Sequence, residues 1–145
     1  MFLMSSMYGA GNTIAAANLA AANIPVTQQA TVAENRTFTD NRSVEQYVRK
    51  EFADEPILVD IAGCESNFHQ FDANGDVVRG IVNHADVGVM QINETYHAAE
   101  AAKLRLDLKT TEGNVAFAKY LYGKFGTDPW KYSQKCWSNK LAENR

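Results

Sequence analysis

The sequence predicts a mainly α-helical domain with one small β-hairpin, an α+β fold in which helices dominate. Apolar residues recur at helical spacing in three segments that begin near Ser43, Asp54 and Thr110. Between positions 70 and 83, a turn signal and a short β-branched run interrupt this pattern. The 145 residues, 46% of them hydrophobic, suffice for one domain with its own core.

We place the domain at residues 43–145 and expect residues 1–42 to be a leader and linker. No charged side chain occurs in residues 1–33, and alanines cluster at positions 15–17 and 20–22. The small residues are typical of an export-signal cleavage site, but the basic residues that precede such signals are missing. The apolar stretch is also too short and too polar to span a bilayer. Either a disordered leader or a vestigial signal is consistent with this composition.

Net charge and cysteine content limit the partners and the compartment. The net charge is −3 and no basic cluster occurs, which argues against a nucleic-acid or membrane-surface partner. Neither Cys64 nor Cys136 has a Cys or His at metal-ligand spacing, so we expect no metal site and no cofactor. The two cysteines are either buried thiols or one disulfide that ties the last segment to an earlier helix. A disulfide would imply an oxidising compartment.

Two helices precede the hairpin. Ser43 is expected to cap the first, with Gln46 completing a capping box. Asp54 is expected to cap the second, in which Pro56 occupies the first turn, where its missing N–H costs little. The expected buried faces consist of Val44, Tyr47, Val48 and Phe52 in the first helix and of Ile57, Leu58, Ile61 and Ala62 in the second.

The hairpin is expected to span roughly residues 70–83, because Asp, Asn and Gly are followed there by β-branched residues. Asp72, Asn74 and Asp76 also begin the spacing of a calcium-binding loop. However, Val77 stands where that loop needs glycine, so the plain turn is the better interpretation.

Two more helices and an aromatic tail follow. Residues 96–104 are alanine-rich and predict a helix. Thr110 or Thr111 is expected to cap a stronger helix that ends at Gly126. The apolar stripe of that helix consists of Val115, Ala118, Leu121, Tyr122 and Phe125, and the tail contains Trp130, Tyr132 and Trp137.

Glu65 is the first candidate for catalysis, because it ends the second helix among apolar neighbours. Burial in a cleft, apolar contacts and the negative end of the helix dipole would all raise the pKa of its carboxyl group. A carboxylic acid that stays neutral can protonate a glycosidic oxygen, which otherwise leaves poorly. The alternative is an ordinary solvated glutamate at the end of a helix.

Four further residues could complete a sugar-binding site. Asp86 could serve as a second carboxylate, or it could cap a short helical segment that begins near Gly88. Gln91 and Asn93 offer amide donors and acceptors for sugar hydroxyl and acetamido groups. On a helix these two would not share a face. Tyr120 could hydrogen-bond the acid or a sugar.

At these residues the chain resembles the soluble lytic transglycosylase domain of the lysozyme-like superfamily. The resemblance covers roughly residues 43–137. It is carried by three motifs in order: Glu65-Ser66, then Gly88-Val89-Met90-Gln91-Ile92-Asn93, then Asn114 with Ala118-Lys119-Tyr120-Leu121. Asp86, two residues before Gly88, departs from that pattern and is similar to the second catalytic residue of C-type lysozymes.

The resemblance implies a lysozyme-like fold with its hairpin beside a catalytic cleft, and activity on peptidoglycan glycan strands. Glu65 would act as single acid and base on the β-1,4 bond between N-acetylmuramic acid and N-acetylglucosamine, giving a 1,6-anhydro product. Ser66 would support the acid, Gln91 would line the cleft and Tyr120 would bond near Glu65. The alternatives are a hydrolase that uses Glu65 and Asp86, and a non-catalytic glycan-binding module.

The substrate also implies the location. Peptidoglycan lies outside the cytoplasmic membrane, so we expect a periplasmic, cell-envelope or extracellular monomer without a membrane span.

Overall fold

The computed structural model describes residues 40–143, and the side chains of residues 40–140. All of them belong to one unit, Thr37–Arg145. The expected leader and linker, residues 1–42, lies outside the described residues except for its last three positions. Those three belong to the first helix and its cap, so the expected boundary at residue 43 falls inside that helix.

Helix α1 (Asn41–Glu51) is capped by Asp40, three residues before the expected cap. The side chain of Asp40 accepts the backbone N–H of Ser43 at 2.8 Å, and the Ser43 hydroxyl donates to the Asp40 carbonyl at 2.7 Å. The prediction that Ser43 is the N-cap is therefore wrong. A carboxylate three residues upstream takes that role and leaves Ser43 within the first helical turn.

Helix α2 (Pro56–Ser66) begins with proline at its first position, as expected. Its N-cap position is Glu55 rather than Asp54, and no side chain caps it. The Glu55 carboxylate instead forms an ion pair with Lys119 at 3.1 Å. Helix α2 ends at Ser66. The next two residues, Asn67 and Phe68, have positive φ angles of 52° and 61°, so the chain turns sharply there.

The sheet lies later in the chain than the predicted hairpin. The turn at residues 72–76 closes with one bridge, between Phe71 and Val77. The two-stranded antiparallel sheet is formed by β1 (Asp86–Val87) and β2 (Ile92–Asn93), with Asp86 opposite Asn93. A hairpin over residues 70–83 is thus only partly correct. Residues 88–91 form the turn between the strands, so no helix begins near Gly88 for Asp86 to cap.

Three helices and a 3₁₀ segment complete the fold. Asn93 caps α3 (Glu94–Lys103), whose N-terminus therefore lies at the end of β2. Thr110 caps α4 (Thr111–Phe125), and Gly126 ends it with a φ of 59°, as expected. A 3₁₀ helix (Asp128–Ser133) then leads directly into α5 (Gln134–Glu143).

Helix α2 is the centre of the described structure. It packs against α1, α5 and the 3₁₀ helix, and a helix with neighbours on several sides is apolar around most of its circumference. Its Leu58, Ile61 and Ala62 are fully buried. The core continues through Phe52 of the α1 end and Phe117 of α4. Glu65, one turn beyond Ile61, is consequently held at the edge of a rigid core.

The fold class is confirmed: the protein is mainly helical with one small antiparallel sheet. Within residues 40–143, no helix is both long and apolar enough to cross a membrane.

Candidate active site

A cleft of about 400 Å³ is lined by residues from the end of α2, the sheet region, the start of α3 and the 3₁₀ helix. Its lining includes Glu65 of α2 together with Asp86, Gln91 and Asn93 of the sheet region. Four sequence-predicted site residues therefore line one cavity, although they come from segments with different backbone conformations.

Glu65 is half-buried, and this burial is the main reason that the pKa of its carboxyl group is raised above its ordinary value. The negative charge of Asp86 acts in the same direction. A hydrogen bond from the Ser133 hydroxyl to Glu65 Oε1, at 2.6 Å, lowers the pKa and offsets part of this effect. Desolvation is the largest of the three influences, so Glu65 keeps its proton to a higher pH than a solvated glutamate does.

Asp86 is held in place by two amide side chains. Its Oδ1 accepts from Asn93 Nδ2 at 2.6 Å and from Asn83 Nδ2 at 3.3 Å. The first bond joins residues that face each other across the sheet, so strand pairing itself positions the carboxylate. Asp86 thus faces the cleft in a fixed orientation.

Gln91 and Asn93 both line the cleft because the segment is not helical. Gln91 has a φ of 48° and lies in the turn, whereas Asn93 lies in β2. The Gln91 side chain donates to the Gly88 carbonyl at 2.8 Å, which leaves its carbonyl oxygen for another partner. Two residues at this spacing would not share one face of a helix. In a turn followed by a strand, both side chains can reach the cleft.

Two buried amides hold the turn between the strands. Asn114 of α4 accepts from the Met90 N–H at 2.9 Å and donates to the carbonyls of Val87 and Leu108, at 2.9 and 2.8 Å. Gln70 accepts from the Val89 N–H at 2.8 Å. Both amides are fully buried. The sequence indicated Asn114 only through the resemblance, and nothing in it indicated Gln70.

Gly88 allows this close approach. Its φ is +72°, and a Cβ at that position would lie 2.5 Å from Asn114 Nδ2 and 2.6 Å from Gln70 Oε1. Only glycine combines that backbone conformation with so little space.

Ser66 and Tyr120 are located differently from the other expected site residues. The Ser66 hydroxyl donates to the Val89 carbonyl at 2.8 Å, so it ties the end of α2 to the turn and does not line the cleft. The Tyr120 hydroxyl donates to Glu100 at 2.5 Å and accepts from Lys124 at 2.7 Å. Among the described residues, the Tyr120 hydroxyl therefore bonds to Glu100 of α3 and not to Glu65.

Ser133 takes the place next to the acid that was expected for Tyr120. It lies 68 positions after Glu65 and follows no motif that could have identified it. A disulfide between Cys64 and Cys136 fixes the same region, since one cysteine precedes Glu65 and the other follows Ser133 by three positions. Of the two alternatives left open by the sequence, the structure contains the disulfide.

Aromatic side chains form much of the remaining wall. Tyr96 and Tyr132 line the cleft but are 79% and 94% exposed, whereas Trp130 is buried at the base. Exposed aromatic rings beside a polar cleft are available to stack on a ligand.

The chain matches no protein-family model, no curated protein and no solved structure.

The chemistry of the site follows from its side chains. A carboxyl group with a raised pKa can donate a proton, and the neighbouring carboxylate can stabilise positive charge. The amides of Gln91 and Asn93 can orient a polar ligand. Within the part of the chain that the structure describes, no cluster of three His, Cys, Asp or Glu side chains could bind a metal ion.

Proposed function

We propose that the protein is a peptidoglycan-cleaving lytic transglycosylase of the lysozyme-like superfamily. It acts on the β-1,4 bond between N-acetylmuramic acid and N-acetylglucosamine. The observation that carries the proposal is the half-buried Glu65, with its raised pKa, in a cleft that it shares with Asp86, Gln91 and Asn93. A carboxyl group with a raised pKa beside polar side chains is the arrangement that glycosidic bond cleavage requires.

In this mechanism Glu65 serves first as acid and then as base. It protonates the glycosidic oxygen, so the N-acetylglucosamine end leaves as an alcohol. The ionised Glu65 then takes the proton of the muramoyl 6-hydroxyl, whose oxygen attacks the anomeric carbon of the same sugar. The product is a 1,6-anhydro ring, and Glu65 is protonated again.

The motifs that resemble the transglycosylase family support the proposal by their placement. The Glu65-Ser66 motif and the segment from Gly88 to Asn93 come together at the cleft, joined by the hydrogen bond from Ser66 to Val89. Asn114, from the third motif, holds that segment from behind. Tyr120, also from the third motif, does not bond to the acid; its hydroxyl joins α4 to Glu100 of α3.

The second candidate is a lysozyme-type hydrolase, and the position of Asp86 favours it. Asp86 lines the same cleft as Glu65, and its charge acts on the Glu65 carboxyl. A second carboxylate in that position can stabilise or attack the anomeric carbon while water completes the reaction.

Two variants and one product analysis test both reactions. Replacing Glu65 with Gln removes the acid, and we expect a loss of cell-wall clearing of about 10²- to 10⁴-fold. Clearing by E65Q at the wild-type rate would refute both reactions. Mass spectrometry of muropeptides distinguishes them, because the anhydro product is lighter by one water.

Asp86→Asn is the matched variant for the second carboxylate. It keeps an acceptor for the amide of Asn93 but removes the charge. The single-acid route predicts that D86N retains most activity and anhydro products. The two-carboxylate route predicts hydrolysed products from the wild type and a loss comparable to that of E65Q.

A non-catalytic glycan-binding module is the remaining alternative, with the exposed Tyr96 and Tyr132 as its binding surface. Binding to insoluble peptidoglycan without release of muropeptides over a broad pH range would favour it. For the enzyme, the substrate and the disulfide support a periplasmic, cell-envelope or extracellular location.

A further inference from the structure

Ser133 is a hydroxyl donor with two acceptors. Its Oγ lies 2.6 Å from Glu65 Oε1 and 3.0 Å from the Trp130 carbonyl oxygen. A hydroxyl group has one proton to donate, so the two acceptors compete for it. The shorter distance lies in the range of hydrogen bonds from hydroxyl groups to carboxylates.

We propose that Ser133 is a positioning residue, which keeps the acid proton of Glu65 on Oε2 and stabilises the carboxylate once that proton has been transferred. This inference rests on the proposed function and names a residue of the same site that the sequence motifs do not include. The family resemblance assigns the position near the acid to a tyrosine, and Ser133 replaces it here.

The choice of oxygen follows from the hydrogen bonds. Oε1 accepts a hydrogen bond from the Ser133 hydroxyl, so a proton carried by Glu65 itself belongs on the other oxygen. No described residue donates to or accepts from Oε2. Oε2 is therefore available to the glycosidic oxygen of a bound substrate.

The bond also changes in strength during the reaction. When Glu65 is neutral, Oε1 is a carbonyl-like acceptor and resembles the competing carbonyl of Trp130. When the proton leaves Oε2, Oε1 becomes part of a carboxylate, and hydrogen bonds to a charged acceptor are about twice as strong. An interaction that strengthens as the proton moves lowers the barrier for its transfer. The proton of Ser133 stays on Ser133 throughout.

The position of Ser133 is set by rigid contacts. Trp130 donates from Nε1 to the Met90 carbonyl at 2.9 Å, and Trp137 donates to the Trp130 carbonyl at 3.2 Å. These bonds anchor both ends of the segment that presents Ser133. The disulfide from Cys136 to Cys64 then joins the segment to the helix of Glu65. A hydroxyl group held in this way can act on the carboxyl at constant distance.

Other titratable groups share the cleft with Glu65. Asp86 raises the pKa of Glu65, and His97, Tyr96 and Tyr132 line the same cleft. All these groups are unchanged when Ser133 alone is replaced, so a comparison with the wild type isolates the hydroxyl.

The test compares Ser133→Ala, Ser133→Thr and the wild type by pH-dependent muropeptide release. We expect S133A to lower kcat about 10- to 100-fold with little change in KM, because a hydrogen bond to a charged group is lost after the substrate is bound. The alkaline limb of the pH–rate profile of S133A should shift to higher pH, since the hydrogen bond that lowers the pKa of Glu65 is absent. S133T keeps a hydroxyl group, so it should have most of the wild-type kcat and an alkaline limb at the wild-type pH.

Ser138→Ala is the control, because it removes a hydroxyl from the neighbouring helix α5 with no hydrogen bond to Glu65. It should leave both the rate and the pH profile unchanged. A merely structural role of Ser133 would lower the rate without moving the alkaline limb, and that result would overturn the proposal.

An NMR titration of the Glu65 carboxyl carbon separates this inference from the proposed function. We expect a higher pKa in S133A than in the wild type, whether or not the protein cleaves glycan. A wild type without activity but with this shift would refute the proposed function alone. Equal pKa values in S133A and the wild type would refute the role of Ser133.

Discussion

At the scale of one residue, the carboxyl group of Glu65 serves the proposed reaction but reduces the stability of the protein when it is ionised. Burial raises the pKa of its carboxyl group, so the folded protein binds the proton more tightly than the unfolded chain. The stability that this provides is fully present below the ordinary pKa of 4.5 and is lost as the pH rises through the raised value. At neutral pH the ionised Glu65 is therefore a less favourable group than a neutral amide.

We predict that E65Q has a larger free energy of unfolding than the wild type at neutral pH. The difference should shrink as the pH falls through the raised pKa of Glu65 and reach its minimum below 4.5, where Glu65 is protonated in both states. Urea denaturation of both proteins at several pH values measures it. An advantage of E65Q that did not depend on pH would contradict the titration of Glu65 as its cause.

The sequence could predict the site residues that lie in local motifs. Glu65, Asp86, Gln91 and Asn93 were recognisable by residue type and spacing, and all four line the cleft. Ser133 and Gln70 were not, because their roles depend on contacts between segments far apart in sequence. Tyr120 shows the reverse problem: its residue type suited a bond to the acid, but its hydroxyl donates to Glu100 on α3 instead.

At the scale of elements, Asn114 connects α4 to the turn of the sheet. Its side chain makes three hydrogen bonds with backbone groups, and the residue is fully buried. Replacing it with an apolar side chain leaves the Met90 N–H and two carbonyls without these partners. Such buried groups cost about 1–3 kcal/mol each when they are unpaired.

We predict that Asn114→Leu lowers the free energy of unfolding by about 3 kcal/mol, measured by chemical denaturation. Asn139→Leu is the matched control, since Asn139 is exposed on α5 and should tolerate the change within about 0.5 kcal/mol. Equal effects of the two substitutions would show that the amide of Asn114 does not hold the turn.

The element boundaries show where local patterns lose their predictive value. Helix α4 was predicted well because Thr110 and Gly126 mark its ends clearly. The start of α1 was not, since Asp40 and Ser43 are both good caps and only the backbone decides between them. Strands β1 and β2 have two residues each, too few for an alternating pattern to be visible.

At the scale of the whole molecule, the disulfide links two cysteines that lie far apart in the sequence. Cys64 and Cys136 are 72 positions apart, and a cross-link over such a distance removes much freedom from the unfolded chain. It joins the central helix α2 to α5, the two elements that pack most extensively on each other.

We predict that replacing both cysteines with serine lowers the free energy of unfolding by about 2–4 kcal/mol. A reductant should destabilise the wild type by a similar amount and should leave the double variant unchanged. Thermal denaturation with and without reductant provides the measurement. A wild type insensitive to reductant, with its thiols shown to be free by mass spectrometry, would contradict a stabilising disulfide.

The fold class was predictable from the whole chain because helical periodicity extends over most of residues 43–125. The cleft was not, since its walls come from α2, the sheet and the 3₁₀ helix, which are distant in sequence. Their arrangement depends on tertiary packing around α2, and single-sequence patterns contain no information about it.

Asn93 uses both ends of one amide: its oxygen caps α3 by accepting from Tyr96 N–H, while its nitrogen donates to Asp86. Aspartate would preserve the first role and set two negative charges against each other in the second. Serine could still serve the helix but would be too short to reach across the strands. A substitution of Asn93 that is designed to stabilise the start of α3 will therefore also change the cleft. Such a variant needs both a thermal denaturation measurement and an activity assay.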